Sequence, residues 1–166
     1  GGSGEIIRRK LMQECNLHTI LRLPTGIFYA QGIKANVIFF TKKVASKNTH
    51  TTKVWFYDLR TNKKFTLKQR PMGIEDLNEF ISLYNRENLD SRRPTWSEVN
   101  EIGRWRDYTT EEILSRDKAS LDITWLKDDN LIDLNDLSSP EEIVTRISEN
   151  LKDAISVIDN LRNELN

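Results

Sequence analysis

Between residues 16 and 59 the chain carries three short apolar runs, each the length of a strand, and they commit this part of the molecule to a β-sheet. Residues 16–23 are rich in β-formers, partly alternate, and stop at Pro24. Thr25-Gly26 then reads as a turn. Residues 35–41 are apolar enough to expect a strand buried on both faces. A polar loop over 42–52 leads to a third strand over 53–59. Residues 60–64 look like a hairpin loop before a fourth short run at Phe65-Thr-Leu67. No apolar run approaches the roughly 20 residues that a membrane helix needs.

Helical spacing appears on both sides of these runs. Ser3 is placed to cap a helix over about 4–15, with Ile7, Leu11 and Cys15 on one face. Ile74, Leu77, Phe80, Ile81 and Tyr84 mark a helix over about 74–85, and residues 86–108 read as irregular. Thr109 with Glu112 is a capping-box pattern for a short helix, and Ser139-Pro-Glu-Glu142 is a stronger one. The second box opens a helix reaching Leu165. Its Val144, Ile147, Leu151, Ala154, Ile158, Leu161 and Leu165 alternate spacings of three and four, an unbroken heptad seam. At 1.5 Å per residue this helix would span roughly 39 Å. Packing within the chain and docking on a partner both remain open for it, and its length and strict seam favour a partner. The expected fold class is α/β.

The formal net charge is zero, but the charges are divided. Residues 1–70 hold 14 Lys and Arg against 3 Asp and Glu, while residues 71–166 hold 11 against 22. The densest stretch, 34–70, sets ten basic residues against Asp58 alone. So lopsided a field suits a polyanion such as nucleic acid, with a solvated basic surface as the plain alternative. The single cysteine, Cys15, excludes an internal disulfide and suits a reducing, cytoplasmic compartment.

Few residues carry chemistry of their own. Cys15 and His18 are close, but His50 is the one other histidine, so a zinc site lacks its ligand spacing and no metal is expected. Neither Ser–His–Asp nor Cys–His catalysis has a local signature. Gly1-Gly-Ser-Gly4 before a helix is a weak phosphate-binding signal, with no strand ahead of it. Residue 1 is glycine, so the chain is expected to begin inside a longer gene product or after a cleavage scar. The paired aromatics Phe28 and Tyr29 stand in a loop between two apolar strands, beside Lys34. Aromatic faces next to cations suit an unstacked nucleobase; the alternative is that both rings cover the end of the sheet.

Asn16-Leu-His-Thr-Ile-Leu-Arg-Leu-Pro-Thr-Gly-Ile-Phe-Tyr-Ala-Gln-Gly-Ile-Lys-Ala-Asn-Val-Ile-Phe-Phe40 resembles the final sheet segment of the modification subunits of type I restriction–modification systems. Val54-Trp-Phe-Tyr-Asp-Leu-Arg60, Gly103-Arg-Trp-Arg106 and Arg116-Asp-Lys-Ala-Ser-Leu-Asp-Ile-Thr-Trp-Leu-Lys127 are similar to later segments of that family, in the same order. The resemblance implies the C-terminal part of a Rossmann-like, S-adenosylmethionine-dependent methyltransferase sheet, followed by a mostly helical tail. It implies adenine N6 in DNA as methyl acceptor, and a complex with a specificity (S) subunit that reads the target sequence. It also implies that Phe28, or with less support Tyr29, stacks on the flipped adenine.

On this resemblance residues 1–70 are the last strands and helix of the catalytic domain, 71–138 an extension, and 139–166 an assembly helix. Lys34, Lys42, Lys43, Arg60, Lys63 and Lys64 are the candidates for facing DNA phosphates. The seam residues Val144 to Leu165 are the candidates for the subunit interface. The family's cofactor-binding glycine motif and its Asn/Asp-Pro-Pro-Phe/Tyr motif are absent, since no two prolines are adjacent. Both are expected upstream of Gly1, so no catalytic residue is assigned within these residues and the segment alone is expected to be inactive. The rival reading is a non-catalytic nucleic-acid-binding or assembly module.

Overall fold

Helix α1 (Ser3–Glu14) runs straight into strand β1 (Cys15–Arg22), so the change from helical to alternating periodicity takes place across one peptide bond. The computed structural model describes residues 2–29, 32–44 and 49–128, together with Val144, Ile147, Ser148, Leu151, Lys152, Ile155 and Arg162. Gly2, in extended backbone, precedes α1 and gives no side-chain cap; Ser3, expected as the cap, is the first helical residue. Met12 is the side chain that α1 buries, while Ile7, expected on the inner face, is exposed.

Strand β1 is central. It pairs antiparallel with β2 (Asn36–Lys42) and parallel with β3 (Lys53–Asp58), and β3 pairs antiparallel with β4 (Trp105–Thr109). The order is β2-β1-β3-β4. Alternate side chains of β3 feed two cores. Val54 and Phe56 join Met12, Leu17, Ile20, Ile113 and Ile123 on one face, and Trp55 and Tyr57 join Leu21, Phe80 and Trp105 on the other. At about 1.5–3 kcal/mol for each large apolar side chain fully buried, these two layers hold the mixed α/β unit together.

Strand β2 departs from the expected burial on both faces. Phe39 packs against Phe80 and Tyr84, but Val37, Ile38 and Phe40 are exposed. The reason is position: β2 is an edge strand, bonded to β1 on one side and to no described strand on the other. Phe65-Thr-Leu67 forms no strand. Phe65 is buried, and Thr66 Oγ1 instead accepts the backbone N–H groups of Gln69 and Arg70 in a tight turn. The expected helix at 74–85 begins as a 3-10 turn (Ile74–Leu77) and continues as α2 (Asn78–Tyr84), which ends where Asn85 adopts a left-handed conformation at φ 35°. Helix α3 (Thr110–Ser115) carries the expected capping box, with Thr109 Oγ1 accepting from Glu112 N at 3.2 Å and Glu112 Oε2 from Thr109 N at 2.6 Å.

The segment Gly1–Asp128 is one compact unit and Asp129–Asn166 a second. In the second, the described positions Val144, Ile147, Leu151 and Ile155 are helical and exposed. Ala154, Ile158, Leu161 and Leu165 of the expected seam lie outside the described residues. Among the described residues, no helix is long and apolar enough to cross a membrane.

Candidate nucleic-acid interface

Because β1 and β3 are parallel, their C-terminal ends lie side by side, with Arg22 registered against Asp58. Arg22 Nη1 meets Asp58 Oδ2 at 2.7 Å, with both side chains buried. Asp58 gathers three further donors: the backbone N–H groups of Arg60 and Thr61, each at 2.8 Å from Oδ1, and the Thr61 hydroxyl at 2.8 Å from Oδ2. A buried carboxylate needs this many partners to offset its lost hydration. Asp122 and Thr124 reach Arg22 Nη2 at 3.2 Å each, and Arg104 Nη1 donates to the carbonyls of Asp58 and Thr61. This polar cluster closes the edge of the sheet from which the aromatic loop departs.

The loop leaves after Leu23 and returns at Ala35, where Leu23 N–H donates to the Ala35 carbonyl at 3.0 Å. Gly26 has a φ of 82°, and a Cβ there would collide with the Phe65 carbonyl, so glycine lets the loop lie directly on the chain at 65–66. The loop and this second wall enclose an open cleft of about 650 Å³, whose lining includes Phe28, Tyr29, Phe65, Lys68 and Gln69. Phe65 is buried and forms the floor; Phe28 is 41% exposed and Tyr29 95%. An aromatic left this open at considerable hydration cost can take a flat apolar face against it. Phe28 combines partial support with an open face, whereas Tyr29 projects freely.

The basic candidates divide by register. Lys34 enters β2 at the end paired with Arg22, and Lys63 and Lys64 follow β3 out of the same edge. Lys42 pairs with Cys15 at the opposite edge, and Lys43 N–H donates to the Glu14 carbonyl there. At about 3.3 Å per residue, the length of β2 separates these two groups by roughly 20 Å. The structure thus places Lys34, Lys63 and Lys64 at the end of the sheet from which the Phe28 loop departs, with Lys68 in the cleft lining itself, and sets Lys42 and Lys43 at the other end.

Arg60 turns inward. Its guanidinium donates to the carbonyls of Leu23 and Ala35 and to the Asn36 side chain, with 11% of the side chain exposed. Burial, and then the neighbouring Arg22, draw its pKa below the ordinary arginine value, while Asp122 and Asp58 oppose that shift. Sequence reasoning missed this cluster and the wall at 65–70. The available signal was Asp58, a lone carboxylate within a strongly basic stretch.

At the other end of β1, burial and Arg92 hold the His18 pKa below the usual histidine value. Its Nδ1 lies 2.9 Å from Thr19 Oγ1, whereas His50 Nε2 faces the Val44 carbonyl at 2.8 Å. Among the described residues no three His, Cys, Asp or Glu side chains converge on a metal-sized site.

These residues do not suit S-adenosylmethionine. The cleft lining carries no carboxylate for a ribose diol, and its Lys68 would face a sulfonium of like charge.

Residues 1–120 match the family model described as N-6 DNA Methylase. The methylase subunit of the type I restriction enzyme EcoKI of Escherichia coli K12 is 41% identical across 99% of this chain. The StySJI methylase subunit of Salmonella typhimurium LT2 is 40% identical across 99%. The chain spans 36% of the length of these curated relatives. The crystal structure of the EcoKI M protein covers all of this chain at a TM-score of 0.64 and 40% identity, over 38% of that protein. A second structure, concerned with complex assembly and conformational transition of a type I R-M system, covers 99% of this chain and 33% of its own at a TM-score of 0.56 and 28% identity.

Proposed function

Since the chain belongs to the N-6 DNA methylase family, we propose that it is the C-terminal portion of a type I restriction–modification methylase subunit, a site-specific N6-adenine DNA methyltransferase of the cytoplasm. The observation that carries the reading is the loop at 24–34. Its partly exposed Phe28 stands over an apolar cleft at the same sheet edge as Lys34, Lys63 and Lys64. A flipped adenine stacks on Phe28, with Tyr29 beside it, while the lysines meet the flanking phosphates. Lys42 and Lys43, at the far end of β2, stand apart from these phosphates.

Strand β2 supports the Rossmann-like part of the reading. An edge strand with exposed Val37, Ile38 and Phe40 is a template for another strand, and the remainder of the methyltransferase sheet continues there. On this reading residues 1–70 complete the catalytic domain, 71–138 extend it, and 139–166 form the assembly helix for the specificity subunit and its partners in the complex. Methyl transfer from S-adenosylmethionine to adenine N6 belongs to the intact subunit. This segment holds and orients the base and the DNA, and alone it binds no cofactor and transfers no methyl group.

The test compares the intact subunit, assembled with its specificity subunit, with the 166-residue chain. Both are given isotope-labelled S-adenosylmethionine and duplex DNA carrying the target site. N6-methyladenine from the assembly and no product from the chain is the expected result. Label on cytosine, or saturable cofactor binding by the 166-residue chain, would contradict it.

A further inference from the structure

The loop that carries Phe28 has two feet, Leu23 and Ala35, and one side chain grips both. Arg60 Nε donates to the Leu23 carbonyl at 2.9 Å, and Nη2 donates to the Ala35 carbonyl at 2.7 Å and to Asn36 Oδ1 at 3.0 Å. The stem of Arg60 is anchored in turn. Its backbone N–H donates to Asp58 Oδ1 at 2.8 Å, and the preceding Leu59 N–H donates to the Arg22 carbonyl at 3.1 Å. The chain therefore enters Arg60 from a buried, hydrogen-bonded corner and reaches across the loop's base. A planar guanidinium with five donors suits two converging carbonyls, whereas an ammonium brings the same charge to a single point.

We propose that Arg60 is a positioning residue for the target-base loop, setting the separation of its feet and through it the direction in which Phe28 meets the flipped adenine. The proposal rests on the reading of Phe28 given above. It also separates Arg60 from the exposed Lys34 and Lys64 of the same edge: a guanidinium committed to backbone carbonyls organises the loop, and the lysines meet phosphate.

The experiment uses the intact subunit with its specificity subunit and compares Arg60→Lys, Asn36→Ala and Phe28→Ala. For each, the single-turnover methylation rate, duplex affinity at two salt concentrations, thermal midpoint, and emission of 2-aminopurine in place of the target adenine are measured. Arg60→Lys keeps the charge and loses the fork. It should slow the single turnover by about 10- to 100-fold, as a misplacement of the order of an ångström does. Duplex affinity, its salt dependence and the thermal midpoint should stay unchanged, and 2-aminopurine emission should move toward that of Phe28→Ala. Asn36→Ala removes one acceptor without touching the Asp58 cluster and should give the same signature at smaller size, which keeps the test decisive if Arg60→Lys loses stability. Wild-type rates in both variants, beside a slow Phe28→Ala, overturn the positioning proposal alone. A wild-type rate for Phe28→Ala overturns the stacking reading on which it rests.

Discussion

Asp58 is the one carboxylate in the stretch 34–70 with its ten basic residues, and the structure spends it on order rather than on charge balance. It is fully buried, pairs with Arg22, and takes three further hydrogen bonds from Arg60 and Thr61. Removing Asp58 leaves Arg22 buried with the exposed Asp122 as its remaining carboxylate and takes the acceptor from the Arg60 and Thr61 donors, which costs about 3–5 kcal/mol. Lys53 and Asp107 also pair at 2.7 Å, but with half of the lysine in water, and exposed pairs contribute about 0–1 kcal/mol. Asp58→Ala should therefore lower unfolding free energy in urea by several-fold more than Lys53→Ala. Equal losses would show that the Asp58 cluster is not the anchor of this sheet edge. Little of the cluster was legible beforehand. Arg22 lies 36 residues from Asp58 and 100 from Asp122, and no local pattern encodes contacts at such separations.

A local signal sufficed for the capping box of α3 but not for the cap of α1 or for the run at 65–67, and burial followed the surroundings. The capping box from Thr109 to Glu112 spans four residues and appears as expected. The strand at β2 was legible, but its burial was not, because burial depends on what lies beyond its far edge. Strand β4 lies in a stretch whose sequence reads as irregular, because Arg106 and Asp107 interrupt its apolar pattern. Their compensation is tertiary: Arg106 stacks 3.5 Å from the Trp96 ring centroid, and Asp107 pairs with Lys53 across the ladder. In the C-terminal segment Val144, Ile147 and Leu151 are helical and exposed, as is Ile155 outside the expected seam. Each Leu or Ile truncated to Ala in a buried seam costs about 2–5 kcal/mol. Leu151→Ala with Ile158→Ala should leave the circular dichroism of the intact subunit unchanged and abolish its co-purification with the specificity subunit. Unfolding of the double mutant without any partner would make this helix part of the subunit's own core.

At the scale of the molecule, the division of charge between the two halves was legible from composition, and its use was only half so. The basic residues do not form one surface. Sheet register sends Lys34, Lys63 and Lys64 to the edge with the aromatic loop and Lys42 and Lys43 to the other. Two parallel strands end together there, a buried ion pair fixes their ends, and the loop they support carries an aromatic that the core leaves open. On the proposed function this ring serves the target base rather than the fold. Aromatic–base stacking is worth about 1–3 kcal/mol per base, so Phe28→Ala in the intact subunit should slow single-turnover methylation of duplex DNA by about 10- to 100-fold. Cofactor affinity and thermal midpoint, measured on the same preparation, should stay near those of the parent protein. A lowered thermal midpoint with the methylation rate of the folded fraction intact would contradict the account and make Phe28 a cover for the end of the sheet.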